Sequence, residues 1–169
     1  RNRKVFTRVK PPRKSKSQKK QDSIHRFIEA SQYAKAILKE PGMRDLYSRA
    51  IDKRRPSAHT AAVSDYLNAP VIHEIRTREY DGLIGDRLRI KATDAFQVTS
   101  VNVIIRNSKG QLVEKGAAVK YARKPSIWVY TATVANPQPV GSRIFVTAMD
   151  RPMNEAEMEV VVGGESVSQ

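Results

Sequence analysis

Near residues 68–70 the apolar side chains change their spacing, and that break limits what the chain can fold into. Upstream they recur with the helical period; downstream they alternate. A chain with both patterns in series has to build a helical part and a sheet part. Asn68, Ala69 and Pro70 form the turn-prone joint between them.

Upstream, residues 22–39 read as a helix whose broad apolar face holds Ile24, Phe27, Ile28, Ala34, Ile37 and Leu38. Asp22 or Ser23 is placed to cap it, and Pro41 with Gly42 ends it. A second helix over 43–51 carries one stripe of Met43, Leu46, Tyr47, Ala50 and Ile51. A third, over 56–67, opens on Pro56 and Ser57 and offers Ala58, Ala61, Ala62, Val63, Tyr66 and Leu67 for packing. Three such helices are marginal as an independent fold, so they are expected to dock on the next domain or on a partner.

Downstream, Leu88, Ile90 and Ala92 face one way and Arg87, Arg89 and Lys91 the other. Val101, Val103 and Ile105 share a face in residues 98–106, and residues 107–110 close a hairpin turn on Gly110. Further strands are expected over 111–114, 127–134, 142–148 and 156–162, the first of these four being short. Counting the run that begins at Val71, about seven short strands with frequent turns indicate an antiparallel β-sandwich. The fold class is therefore α+β in several parts. A basic extended arm spans 1–20, a three-helix segment 21–69, an immunoglobulin-like sandwich 70–162 and a flexible tail 163–169.

Residues 71–162 carry three segments with a family likeness: IGDRLRIKATDAFQVTSVNVII, the strand around Trp128, and SRIFVTAMDRPMNEAEMEVVV. The last is similar to an alanine-aspartate pair, a proline-glycine-asparagine turn and a closing strand, with Met153 in place of the usual glycine. This half of the chain resembles the bacterial immunoglobulin-like domains. The resemblance implies a sandwich that spaces, stacks or decorates, and it implies no chemistry.

Charge is what points to function. The chain carries a net +14, and it is unevenly spread. Residues 1–70 hold 18 basic and 6 acidic side chains; residues 71–169 hold 13 and 11. Residues 1–20 concentrate ten cations with no acid: Arg1, Arg3, Lys4, Arg8, Lys10, Arg13, Lys14, Lys16, Lys19 and Lys20. Pro11 and Pro12 favour an extended course there, and Phe6 suits an anchor. A second basic cluster, Lys53, Arg54 and Arg55, joins two of the expected helices. Such segments neutralise phosphates and release counterions, giving sequence-independent and salt-sensitive affinity. The expected partner is nucleic acid, DNA or RNA, or another acidic surface. The alternative is a structural subunit of a surface layer, virion or filament, whose arm laces into a neighbour. Self-assembly through the sandwich is suggested by two stripes, Arg87, Arg89 and Lys91 on one strand and Glu155, Glu157 and Glu159 on another.

Enzymatic signals are weak. His25, His59 and His73 fall in different elements without metal-ligand spacing, and there is no nucleophile elbow, P-loop or dinucleotide fingerprint. Cysteine is absent, which removes disulfides and thiolate chemistry. Asp81, Asp86, Asp94 and Asp150 would make a calcium site only if they gathered at one end of the sandwich; capping turns is the simpler role. Trp128 and Tyr130 are expected in the core. No enzyme activity, cofactor or small-molecule substrate is implied. No run is long enough to span a membrane, and no signal peptide is visible, which favours the cytoplasm. The sequence begins at Arg1 rather than Met, leaving open a processed N-terminus.

Overall fold

The structure, a computed structural model, describes residues 15–163. Helix α1 runs Lys16–Ile37, α2 Met43–Ser48 and α3 Ala58–Leu67. The start of α1 corrects the expected boundary. Ser15, and not Asp22 or Ser23, is the N-cap: its hydroxyl accepts from the Gln18 N–H at 3.2 Å, and the Gln18 side chain accepts from the Ser15 N–H at 2.9 Å. Lys16, Lys19 and Lys20 are thus helical, outside any extended arm. Lysine and glutamine propagate a helix well once it is capped. The apolar period begins only at Ile24, so the first two turns gave no periodic signal.

A second correction concerns the face of α1. Of its expected apolar face, Ala34 is buried, joined by Ala30, while Ile24, Phe27 and Ile28 are exposed. Ala30 and Ala34 belong to one buried cluster with Ala61, Ala62 and Val63 of α3 and Tyr47 of α2. Alanine on both sides lets two helices approach closely, but it covers little of the flank. The third helix opens on a reciprocal cap between Ser57 and Thr60, at 2.9 and 3.1 Å.

The sandwich has eight strands: β1 Val71–Glu79, β2 Arg87–Thr93, β3 Ser100–Arg106, β4 Leu112–Ala117, β5 Val119–Lys120, β6 Ile127–Thr131, β7 Arg143–Met149 and β8 Glu155–Val161. They form two antiparallel four-stranded sheets, β1-β2-β6-β5 and β4-β3-β7-β8. That order is immunoglobulin-like, with β4 added at the edge of the second sheet. The one strand that the alternation pattern does not announce is β5, whose two residues pair with β6 and are too few for a periodic signal.

Alternation is followed closely where it was strongest. Leu88, Ile90, Val101, Val103, Ile105 and Ile144 point into the core, and Trp128 and Tyr130 join them. The hairpin turn at 107–110 closes with the Gly110 N–H on the Asn107 carbonyl at 2.8 Å. Gly82 is required where it stands: its φ is +87°, and a Cβ there would lie 2.1 Å from the Asn136 carbonyl oxygen. Met153 holds φ +71°, a left-handed conformation otherwise taken by glycines among the described residues.

Among the described residues the helices meet the sandwich at Phe96 and at Asn154. Phe96, in the loop after β2, packs into the helical cluster, edge-on to Tyr47 with ring centroids 5.5 Å apart. Asn154, in the turn before β8, donates its side-chain N–H to the Tyr66 carbonyl at 3.1 Å, close to the Asp65 and Asn68 carbonyls at 3.4 Å. At the end of α3 the sandwich thus satisfies the Tyr66 carbonyl, while Arg26 of α1 takes Leu67 and Asn68 takes Ser64.

Candidate polyanion-binding face

Seven of the expected site residues, Arg1, Arg3, Lys4, Arg8, Lys10, Arg13 and Lys14, lie outside the described residues, as does most of the expected tail. The other six fall in two places. Lys16, Lys19 and Lys20 stand exposed on the first turns of α1. No acidic residue accompanies them in the first turn. The free N–H groups of a helix start carry positive partial charge, so three lysines there repel the helix and each other. A bound anion would relieve both repulsions.

Lys53, Arg54 and Arg55 sit in the loop between α2 and α3. Asp52 organises it, accepting from the Arg54 and Arg55 N–H groups at 2.8 Å each. The Arg55 guanidinium also holds Asp52, at 2.5 and 3.2 Å, and lies 5.1 Å over the Phe96 ring. That contact keeps the Asp52 carboxyl at about 2, below the ordinary carboxylate range. Arg55 is therefore engaged in structure, while Lys53 and Arg54 are exposed. The loop forms one wall of an open groove of about 720 Å³ whose other side is α3, through Thr60, Val63, Ser64 and Leu67. Arg26 of α1 reaches the Leu67 carbonyl at 3.2 Å. The groove thus has a basic rim, hydroxyls and a small apolar floor.

The four aspartates do not gather. Asp86 precedes β2 and Asp94 follows it, a strand of about 20 Å apart. Each accepts from local N–H groups: Asp86 from Asp81 and Leu83, Asp94 from Phe96 and Gln97, Asp150 from Asn154. Among the described residues no group of three or more His, Asp or Glu side chains is arranged for a metal ion. His59 shares a 3.5 Å contact with Ser31, His73 lies 2.6 Å from the Thr93 hydroxyl, and His25 is exposed. No described helix is long and apolar enough to cross a membrane.

Sequence patterns did not reveal the polar knot that joins the three helices. The Tyr47 hydroxyl donates to Asp65 at 2.5 Å and lies 3.1 Å from the Tyr33 hydroxyl. Asp65 is buried, and burial raises its carboxyl to about 6, with Asp94 and Asp150 adding repulsion. Burial likewise pushes Tyr47 and Tyr33 upward. Asp65 occupied an inward position of a helix otherwise rich in alanine, which was its one sequence signal.

No family model matches the chain, and no curated protein matches it. Among solved structures, CopC from Methylosinus trichosporium OB3b is similar at 17% identity and a TM-score of 0.39, over 53% of this chain and 87% of that one. The pullulanase SAP of Group B Streptococcus is similar at 14% identity and a TM-score of 0.34, over 45% of this chain and 10% of that one. Neither similarity bears on function at these scores.

Proposed function

We propose that this is a non-enzymatic accessory protein that binds nucleic acid through phosphate contacts. The observation that carries the reading is the placement of Lys16, Lys19 and Lys20. They stand unburied at the positive end of a helix, directly after fourteen residues with seven cations and no acid. Lys53 and Arg54 supply a second contact on the groove, and Arg55 braces their loop. Contacts of this kind position a protein on a backbone without reading bases. The sandwich, in this reading a bacterial immunoglobulin-like module, meets a second partner.

The test is a mobility-shift titration of duplex DNA and of RNA across a salt series. It compares the full chain with one lacking residues 1–14 and with a Lys16→Gln, Lys19→Gln, Lys20→Gln variant. Glutamine keeps the helix and removes the charge. Binding without sequence preference is expected. On duplex, the slope of log K against log salt should fall by roughly 0.9 for each phosphate that a variant no longer neutralises. Equal affinity and slope for all three proteins would sink the proposal.

A further inference from the structure

Helix α1 outruns what it packs on. Its 22 residues span about 33 Å, whereas the ten of α3 span about 15 Å. Burial on α1 begins at Ala30; residues 15–29 are all exposed. Three of those are large and apolar: Ile24 at 51%, Phe27 at 57% and Ile28 at 48% exposure. At about 100° per residue they form one stripe, and Lys16 and Lys20 lie on the same side as Ile24 and Phe27. Nothing in α1 requires this stripe for its own packing.

The sandwich offers a surface of opposite character. On the outer face of β4-β3-β7-β8, Ile104, Phe145 and Met149 are half-buried. Along the edge strand β8, Glu159, Glu157 and Glu155 stand opposite Phe145, Thr147 and Met149. Glu159 is paired with Arg143, whose guanidinium lies over Phe145. Glu155 and Glu157 carry no ion pair among the described residues. The face thus has an apolar strip, partly covered at Phe145 by Arg143, with an acidic edge on β8 and with Arg106, Arg143 and Lys115 as its cations.

We propose that the free half of α1 docks on this face of a second copy of the chain. Ile24, Phe27 and Ile28 would cover Phe145 and Ile104, with Lys16 and Lys20 against Glu155 and Glu157. The spacings agree: alternate strand residues are about 6.7 Å apart, and helix residues i and i+4 about 6 Å. Charge complementarity argues for this occupant: Glu155 and Glu157, without an ion pair among the described residues, offer two adjacent counter-charges to Lys16 and Lys20. Because the two patches differ, the contact is head-to-tail and repeats from copy to copy. Lys16 and Lys20 are shared with the nucleic-acid reading, but Phe27 and β8 belong to this inference alone, so variants there separate the two.

The experiment is sedimentation velocity of the nuclease-treated full chain over a concentration series at low and high salt. Concentration-dependent oligomers are expected. Phe27→Ser, exposed and so harmless to the fold, should weaken association by roughly tenfold or more, with circular dichroism and nucleic-acid binding unchanged. A Glu155→Lys, Glu157→Lys variant and a Lys16→Glu, Lys20→Glu variant should each fail to self-associate. Their equimolar mixture should associate again, because both of its contacts are complementary. A monomer at every concentration, indifference to Phe27→Ser, or no rescue in the mixture would overturn the proposal. So would a monomer that binds phosphatidylserine vesicles through Phe27, which would assign the stripe to lipid.

Discussion

The sandwich fills its interior with Leu88, Ile90, Val103, Ile105 and Ile144, whereas four of the six buried residues in the helical cluster are alanines. A buried isoleucine contributes roughly 1.5–3 kcal/mol, and an alanine methyl far less. The sandwich can therefore close on its own side chains, and the helical part cannot. It is completed by a tyrosine–aspartate knot and by Phe96, a ring supplied from a sandwich loop. Dependence should run one way: the helices need the sandwich, and the sandwich needs the helices little.

The largest expected effect is on the self-sufficient side. Ile90 is fully buried, between the Ile75 and Trp128 positions of its neighbouring strands. Ile90→Ala should cost about 4 kcal/mol of sandwich stability by transfer and cavity together. Since the helices lean on the sandwich, urea denaturation should show the helical signal lost with it. Helices that persist after the sandwich has unfolded would reverse the proposed dependence.

Phe96→Ala tests the other direction. The ring is half-buried, so its loss should cost about 2 kcal/mol, less than a fully buried phenylalanine. It also removes the ring beneath Arg55, which keeps its contacts with Asp52. The expected outcome is selective. The helical far-ultraviolet signal should melt at lower urea, while the transition seen by the buried Trp128 stays in place. Equal shifts in both would mean that the two regions unfold as one body.

How much of this was legible in sequence follows from the same contrast. Strand alternation in β2, β3 and β7 is enforced by a two-sided core, so the inward set of Leu88, Ile90, Val101, Val103 and Ile105 could be read directly. Helical periodicity gives an apolar face but not the length of the element that covers it. Ile24, Phe27 and Ile28 therefore read as core, although the face that meets α3 is that of Ala30 and Ala34 and these three stay exposed. The start of α1 rests on a cap made by Ser15 and Gln18, which carries no apolar signal. The loop cations Lys53 to Arg55 were visible as charge, but the division between a bracing Arg55 and a free Arg54 depends on Asp52 and Phe96, which come together only in the fold.

The smallest expected effect is one of pH, and it separates the two cores by chemistry. Asp65 is raised to about 6, chiefly by burial, from a usual 3.8. It faces Tyr47 of α2, Tyr33 of α1, and Asp94, Asp150, Arg151 and Asn154 of the sandwich loops. A carboxyl raised in the folded state holds its proton more tightly there than in the unfolded chain. Its stabilising contribution is complete below the unfolded value and is lost as pH rises through about 6. Between about pH 5 and about pH 7 the helical transition should lose about 1 kcal/mol from this group. Asp65→Asn keeps an oxygen to accept from Tyr47 but cannot ionise, so it should remove that part of the slope. Asp150, also raised by burial, titrates in the same sense in both proteins, so their difference isolates Asp65. The sandwich transition should be the same in both. Parallel pH profiles for wild type and Asp65→Asn would show that the knot ionises freely and that the helical part is held by packing alone.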